Sequence, residues 1–165
     1  MTQAEKSILT ILKTNARATV ADLAKLVGIS EAEVSATVTH LEKSGVIVQY
    51  TAIVNEEKLD VKSTVVRALI EVKVQPEKKS GFDAIARRIC RHSNVVDHFL
   101  MSGGFDFLIV VEGGSLQEIS AFVSDKLASI ENVRGTMTHF IMKKYKENGV
   151  VIEETSEQDR LVVSP

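Results

Sequence analysis

Between Ser30 and Glu42 lie hydroxyls at Ser30, Ser35, Thr37 and Thr39, an imidazole at His40, and carboxylates at Glu31, Glu33 and Glu42. No lysine or arginine stands among them. Such a set can hydrogen-bond base edges or phosphate oxygens, but it cannot neutralise phosphate charge. Arg17, Lys25 and Lys43 are the neighbouring cations able to touch a nucleic-acid backbone. Other chemistries fit less well. His40, His92, His98 and His139 have no metal-ligand spacing with Cys90, so no metal site is expected. Nothing in the spacing places a base beside Cys90, which argues against a nucleophile pair. Neither standard phosphate-cradling glycine loop occurs. Asp106 is the single plausible acid–base group, so neither enzyme activity nor a cofactor is expected.

The elements that must position the hydroxyl-rich stretch are legible around it. In TVADLAKLVGISEAEVSATVTHLEKSGVI, residues 19–47, Ala21, Leu23, Ala24 and Val27 give a first helix its apolar face. Gly28 breaks that helix, and Ser30 with Glu33 opens the next as a capping box. Val34, Val38 and Leu41 then recur at helical spacing until Gly45 stops the run. Two short helices joined by a glycine-containing turn predict a helix-turn-helix, whose second helix fits the DNA major groove. The plainer reading is an ordinary helical hairpin. Thr2 with Glu5 caps a preceding helix carrying Ile8, Leu9, Ile11 and Leu12, and Thr19 with Asp22 caps the one after it. Beyond Gly45 the period turns strand-like in VIVQYTAIVN, and the polar run 55–60 marks a hinge.

The bulk numbers add boundaries. With 165 residues, 44% of them apolar, the chain can build one large or two small cores. A net charge of −2 gives no electrostatic reason for a membrane or polyanion partner. Residues 1–60 hold six basic and eight acidic side chains, so any DNA binding rests on shape rather than charge. One cysteine excludes an internal disulfide and fits a reducing cytoplasm. Charges interrupt the apolar residues of MTQAEKSILTILK, which reads as neither signal peptide nor membrane span.

Residues 66–146 alternate strand, helix, strand, strand, helix, strand. In 66–74, Ala68, Ile70, Val72 and Val74 alternate with Arg67, Leu69, Glu71 and Lys73. A helix over 80–91 has Phe82, Ile85, Ala86 and Ile89 on one stripe. Strands over 95–101 and 105–112 flank the turn Ser102-Gly103-Gly104, and Ser115 with Glu118 caps a helix faced by Leu116, Ile119, Phe122, Val123 and Leu127. A strand over 133–145 closes the set. This order predicts an α+β fold, the βαββαβ ferredoxin-like arrangement with both helices on one face of an antiparallel sheet. Phe107-Leu-Ile-Val-Val111 is apolar at every position, so both faces of that strand call for burial. Two helices cover one face only, which leaves the other for the same sheet of a second subunit. A distorted strand with one greasy face is the plainer alternative.

A winged helix-turn-helix, a strand linker and a βαββαβ domain together resemble the Lrp/AsnC (feast/famine) transcriptional regulators. The match rests on LAKLVGIS and LEKSGVI with the following YTAIVN, on GFDAIARRI (81–89), on FLMSGGFDFLIVVEG (99–113), and on FVSDKLASIENVRGTMTHFIMKKYKENGV (122–150). It implies a DNA-binding domain with linker at 1–60, an effector and dimerisation domain at 61–148, and a tail at 149–165. It also implies double-stranded DNA as partner, an amino-acid effector that changes assembly or DNA affinity, a homodimer or octamer, and no membrane. Arg17 occupies the place of the family's turn arginine. With Ser30, Glu31, Ser35, Thr37, Thr39, His40 and Lys43 it makes up the expected DNA-facing set. Thr37 stands where the family usually has arginine. The loop Met101, Ser102, Gly103, Gly104, Phe105 and Asp106 falls in the family's effector region, with Thr136 and Thr138 near it. Turn amides at 102–104 can hold a carboxylate, and Asp106 can accept from an α-ammonium group. Plain-turn and solvated-carboxylate readings stand beside these. The rival function is a metabolite-sensing oligomer with weak or lost DNA binding, acting through protein partners.

Overall fold

Three helices open the chain, each begun by a hydroxyl residue with a carboxylate three positions on. The computed structural model describes residues 1–59, 65–76 and 81–152. The chain divides into two compact units between Val54 and Asn55. In the first unit, α1 spans Gln3–Thr14, α2 Val20–Val27 and α3 Glu31–Lys43. Thr2, Thr19 and Ser30 are their N-caps, and each makes both hydrogen bonds of a capping box, with Glu5, Asp22 and Glu33 respectively. Gly28 ends α2 in the left-handed conformation (φ +77°), which glycine adopts without steric cost, and its N–H donates to Ala24 O at 2.9 Å. Ile8, Leu23, Ala24 and Val34 form the core on which the three helices meet, with Ile11, Leu12, Val27 and Val38 packed around it.

The caps carry a measurable share of this small unit's stability. Thr19→Ala removes the acceptor for the Asp22 N–H and should cost about 1 kcal/mol in denaturant unfolding, while Thr19→Ser should retain most of it. The Thr19 hydroxyl and N–H hold the Asp22 carboxyl below its ordinary value, and the Ser30 hydroxyl and N–H do the same for Glu33. A carboxyl whose folded value is depressed gives its full contribution above the unfolded value and loses it as pH falls through the folded one. Stability of the helical unit should therefore be level from neutral pH to about 5 and decline below about 4. A Thr19→Ala/Ser30→Ala double variant should decline less steeply.

The β-branched run at 46–54, expected as a strand, forms no ladder among the described residues. Val46 and Ile47 instead donate to Leu41 O at the end of α3, and the Tyr50 hydroxyl donates to Glu42 Oε1 at 2.9 Å.

The second unit carries a four-stranded antiparallel sheet of order β2-β3-β1-β4, from β1 Val66–Val74, β2 Val95–Leu100, β3 Phe107–Gly113 and β4 Val133–Phe140. Its helices are α4 Asp83–Ile89 and α5 Leu116–Ala121, the latter continuing as a wider π turn over Phe122–Leu127. Ala68, Ile70, Val72 and Val74 of β1 and Phe107, Ile109 and Val111 of β3 are buried with Ile85, Ile89, Ile119, Phe122 and Leu127 of the helical segments. This is the βαββαβ arrangement, with one sheet face dry.

Several bounds differ from the sequence reading. Within the described residues, α4, expected over 80–91, runs only from Asp83 to Ile89, and residue 80 lies outside them. The turn between β2 and β3 takes in 101–106 rather than three residues, closed by Met101 N–H donating to Asp106 O at 2.8 Å. The last long strand stops at Phe140, not 145. Its partner β1 starts at Val66, so Ile141 N–H to Arg67 O is the end of that ladder. The chain then makes a separate hairpin, β5 Lys146–Glu147 with β6 Val150–Val151. Asn148 and Gly149 turn it with φ +45° and +87°. Arg67 fastens this hairpin to the sheet by pairing with both Glu112 and Glu147, and Lys144 also reaches Glu147 at 2.8 Å. The hinge expected at 55–60 includes the helical turn Glu56–Lys58, and the expected tail at 149–165 starts within the β5–β6 hairpin and lies outside the described residues from 153 on.

Candidate nucleic-acid interface and effector loop

Helical spacing sorts the side chains of α3 around its axis. Val34 and Leu41 are buried, and Thr37 and Val38 are half-buried on the flank beside them. Ala32, Ser35, Ala36, Thr39, His40 and Lys43 line one shallow exposed face. Of the expected DNA-facing set, then, Ser35, Thr39, His40 and Lys43 share a face, whereas Thr37 sits off it. Glu31 lies on the other side, bordering the cleft between α2 and α3 together with Lys25 and Gly28. The Ser30 hydroxyl is committed to the cap: it donates to Glu33 Oε2 at 2.6 Å and accepts from Glu33 N–H. Arg17 is exposed in the turn between α1 and α2, where its backbone N–H donates to Asn15 Oδ1. The arrangement offers hydroxyls, methyls and one imidazole to a groove, with Lys43 as the cation at the helix's end.

At the other candidate site, the β2–β3 loop, residues 101–104 are exposed while Phe105 and Asp106 are half-buried. Gly103 has φ +153°, a conformation L side chains rarely adopt, in open space. Among the described residues, the backbone N–H groups of Ser102, Gly103 and Gly104 make no backbone hydrogen bond. Asp106 has a role the sequence did not reveal. Its N–H donates to Val72 O, and its Oδ2 accepts the Val74 N–H at 2.8 Å, where the β1–β4 register slips. One carboxylate oxygen is thus tied to the end of β1, and the other is not.

Thr136 and Thr138 of β4 pair with Val72 and Ile70 of β1, so they project to the helix-covered side of the sheet. Val72 lies between Thr136 and Phe107, which places Thr136 at the loop's end of the sheet but separated from it by β1.

One expectation is corrected here. A base does stand beside Cys90: His98 Nδ1 is 3.3 Å from its sulfur. The end of α4 overlies β2, so residues eight apart in sequence meet. Burial lowers the His98 pKa, and the ring packs edge-on against Phe107 with centroids 4.6 Å apart. Its Nε2 is buried with no partner among the described residues, so no third group orients the imidazole as a nucleophile's base requires. Among the described residues no group of three or more His, Cys, Asp or Glu could hold a metal ion, and no helix is long and apolar enough to cross a membrane.

The sheet face opposite the helices is patterned across all four strands. One row runs Asp97, Val110, Leu69, His139 and the next Phe99, Leu108, Glu71, Met137. His139 Nε2 lies 3.1 Å from Glu71 Oε1 between them. Five of these eight side chains are large and apolar; Phe99 is 48% and Met137 58% exposed, while Val110 is already down to 8%.

Comparison with known proteins assigns both units. The model for the Lrp/AsnC ligand binding domain matches residues 67–151, and a winged helix-turn-helix DNA-binding model matches 1–48. The HTH-type transcriptional regulator YugG of Bacillus subtilis is 43% identical over 100% of this chain and 99% of its own length. An AsnC family transcriptional regulator from Agrobacterium tumefaciens is 26% identical with a TM-score of 0.68, covering 89% of this chain and 94% of the other. The transcriptional regulator NMB0573 of Neisseria meningitidis, solved with L-Met, has a TM-score of 0.68 at 24% identity, covering 89% and 93%.

Proposed function

The chain belongs to the Lrp/AsnC family of DNA-binding transcriptional regulators with a ligand-binding domain, and from that premise we propose that it is a homo-oligomer whose DNA affinity or assembly is set by an amino acid. The observation that carries the DNA half is α3: a capped, solvent-facing helix with Ser35, Thr39, His40 and Lys43 aligned, inside the matched helix-turn-helix. Arg17 and Lys25 supply further backbone contacts. For the effector, the amides at 102–104, which make no backbone hydrogen bond among the described residues, suit a carboxylate, and the second oxygen of Asp106 suits an ammonium. The L-Met bound to the Neisseria protein is of that chemical class.

Assembly is carried by the sheet face opposite the helices. Leu69, Leu108, Val110, Phe99 and Met137 make an apolar surface that a second copy of the same sheet would bury about a two-fold axis. The single cysteine suits a cytoplasmic location. We read the protein as a regulator and not as an enzyme, because Asp106, the acid–base candidate, spends one oxygen holding β1.

The absence of lysine or arginine from 30–42 favours the second reading, a metabolite sensor that has lost tight DNA binding and acts through protein partners. Binding of the full-length protein to DNA upstream of its own gene, across a salt series and with a panel of amino acids, separates the two. Binding that weakens linearly in log salt and shifts with one amino acid establishes the regulator. Amino-acid binding without DNA binding at low salt establishes the sensor.

A further inference from the structure

The face that α3 turns outward is chemically unusual for a base-reading helix. Counted along the axis, Ala32, Ala36, Thr39 and Lys43 stand at i, i+4, i+7 and i+11, which puts them on the midline of the exposed stripe. Ser35 and His40 flank that midline. A recognition helix sets its midline deepest in the major groove and its N-terminal turns against the bases. The midline residues of those turns carry two methyl groups and a threonine. None of them can form a bidentate pair with guanine or adenine, for which arginine, lysine, asparagine or glutamine is needed. The thymine 5-methyl is the one major-groove feature that apolar contact reads. Short side chains also let the helix backbone lie close to the base edges, within reach of such contact.

Resting on the DNA-binding reading above, we propose that α3 takes its specificity from thymine methyl groups, contacted by Ala32, Ala36 and the Thr39 methyl. Ser35, His40 and Lys43 then position the helix on phosphates or base edges. The preferred half-site carries thymines at fixed positions, and guanine discrimination is weak.

The test uses full-length protein and a duplex recovered by it from a randomised pool. Each thymine of the half-site is replaced in turn by deoxyuridine, which removes the methyl and nothing else. Affinity should fall about fourfold at each contacted thymine, the equivalent of one buried methyl group. The Ala36→Ser protein should lose the distinction between thymine and uracil at one of those positions, a comparison within one variant that is insensitive to its folding. Equal affinity of the unaltered protein for thymine and uracil duplexes overturns the inference and leaves DNA binding standing. So does a selected site with no fixed thymine. Recovery of no duplex at low salt overturns the inference together with the DNA-binding reading.

Discussion

Val110→Asp should convert the protein to a monomer. Val110 projects from the sheet face opposite the helices, between Leu69 and Asp97 in the cross-strand row. Its exposure is already 8%, so a second sheet laid on this face would remove the remaining water. A carboxylate there loses its hydration and gains no cation. Asp97 opposite adds a like charge at cross-strand distance. An uncompensated buried charge costs about 3–5 kcal/mol, which raises a dimer dissociation constant by roughly two to four orders of magnitude. At one concentration, light scattering should report the monomer mass for the variant and the dimer mass for the unaltered chain. Phe99→Glu is the companion variant. It lies in the adjacent row and is half exposed in the single chain, so it can weaken association without disturbing the fold. If both variants keep the unaltered mass, this face is not the interface.

What the sequence made legible is what local chemistry decides. The three capping boxes need only residues three apart, and all three close with both hydrogen bonds. The alternation in β1 is legible because one sheet face is dry, so every second residue from Ala68 to Val74 must be apolar. What failed was non-local. The run at 46–54 has the composition of a strand, but composition supplies no hydrogen-bond partner. Phe140 ends β4 because β1 begins at Val66, a limit set some seventy residues away. The β5–β6 hairpin did carry a signal. Asn148-Gly149 is a type I′ turn pair, masked in the sequence by strand-like residues that run on from β4.

The sites divide the same way. Helical spacing alone puts Ser35, Thr39, His40 and Lys43 on one face of α3, and the same arithmetic turns Thr37 aside. Sequence alone does not separate a capping Ser30 from a DNA-facing one, since one hydroxyl serves both patterns; in the structure that hydroxyl is committed to the cap. The Cys90–His98 contact depends on α4 overlying β2, and the Asp106–Val74 bond on strands 32 residues apart; neither has a sequence signature.

That last bond makes Asp106→Ala a two-part experiment. Val74 is 8% exposed, and its N–H lies where the β1–β4 register slips, so losing the carboxylate leaves a buried donor without an acceptor. The cost should be about 1–3 kcal/mol. For a unit of this size each kcal/mol lowers the melting temperature by about 4–8 °C. Asp106→Ala should also lose amino-acid binding, but that loss alone would not distinguish a ligand contact from a loosened loop. Asp106→Asn separates them. The amide oxygen can still accept the Val74 N–H, so the melting temperature should stay near that of the unaltered chain. The negative charge that would meet an ammonium group is gone. If Asp106 binds the effector, calorimetry should show the Asn variant weakened at least tenfold, a loss within the range of one charge-assisted hydrogen bond. An Asn variant that binds its amino acid as tightly as the unaltered protein would assign Asp106 to the strand alone, and the 102–104 amides would have to hold the effector without it.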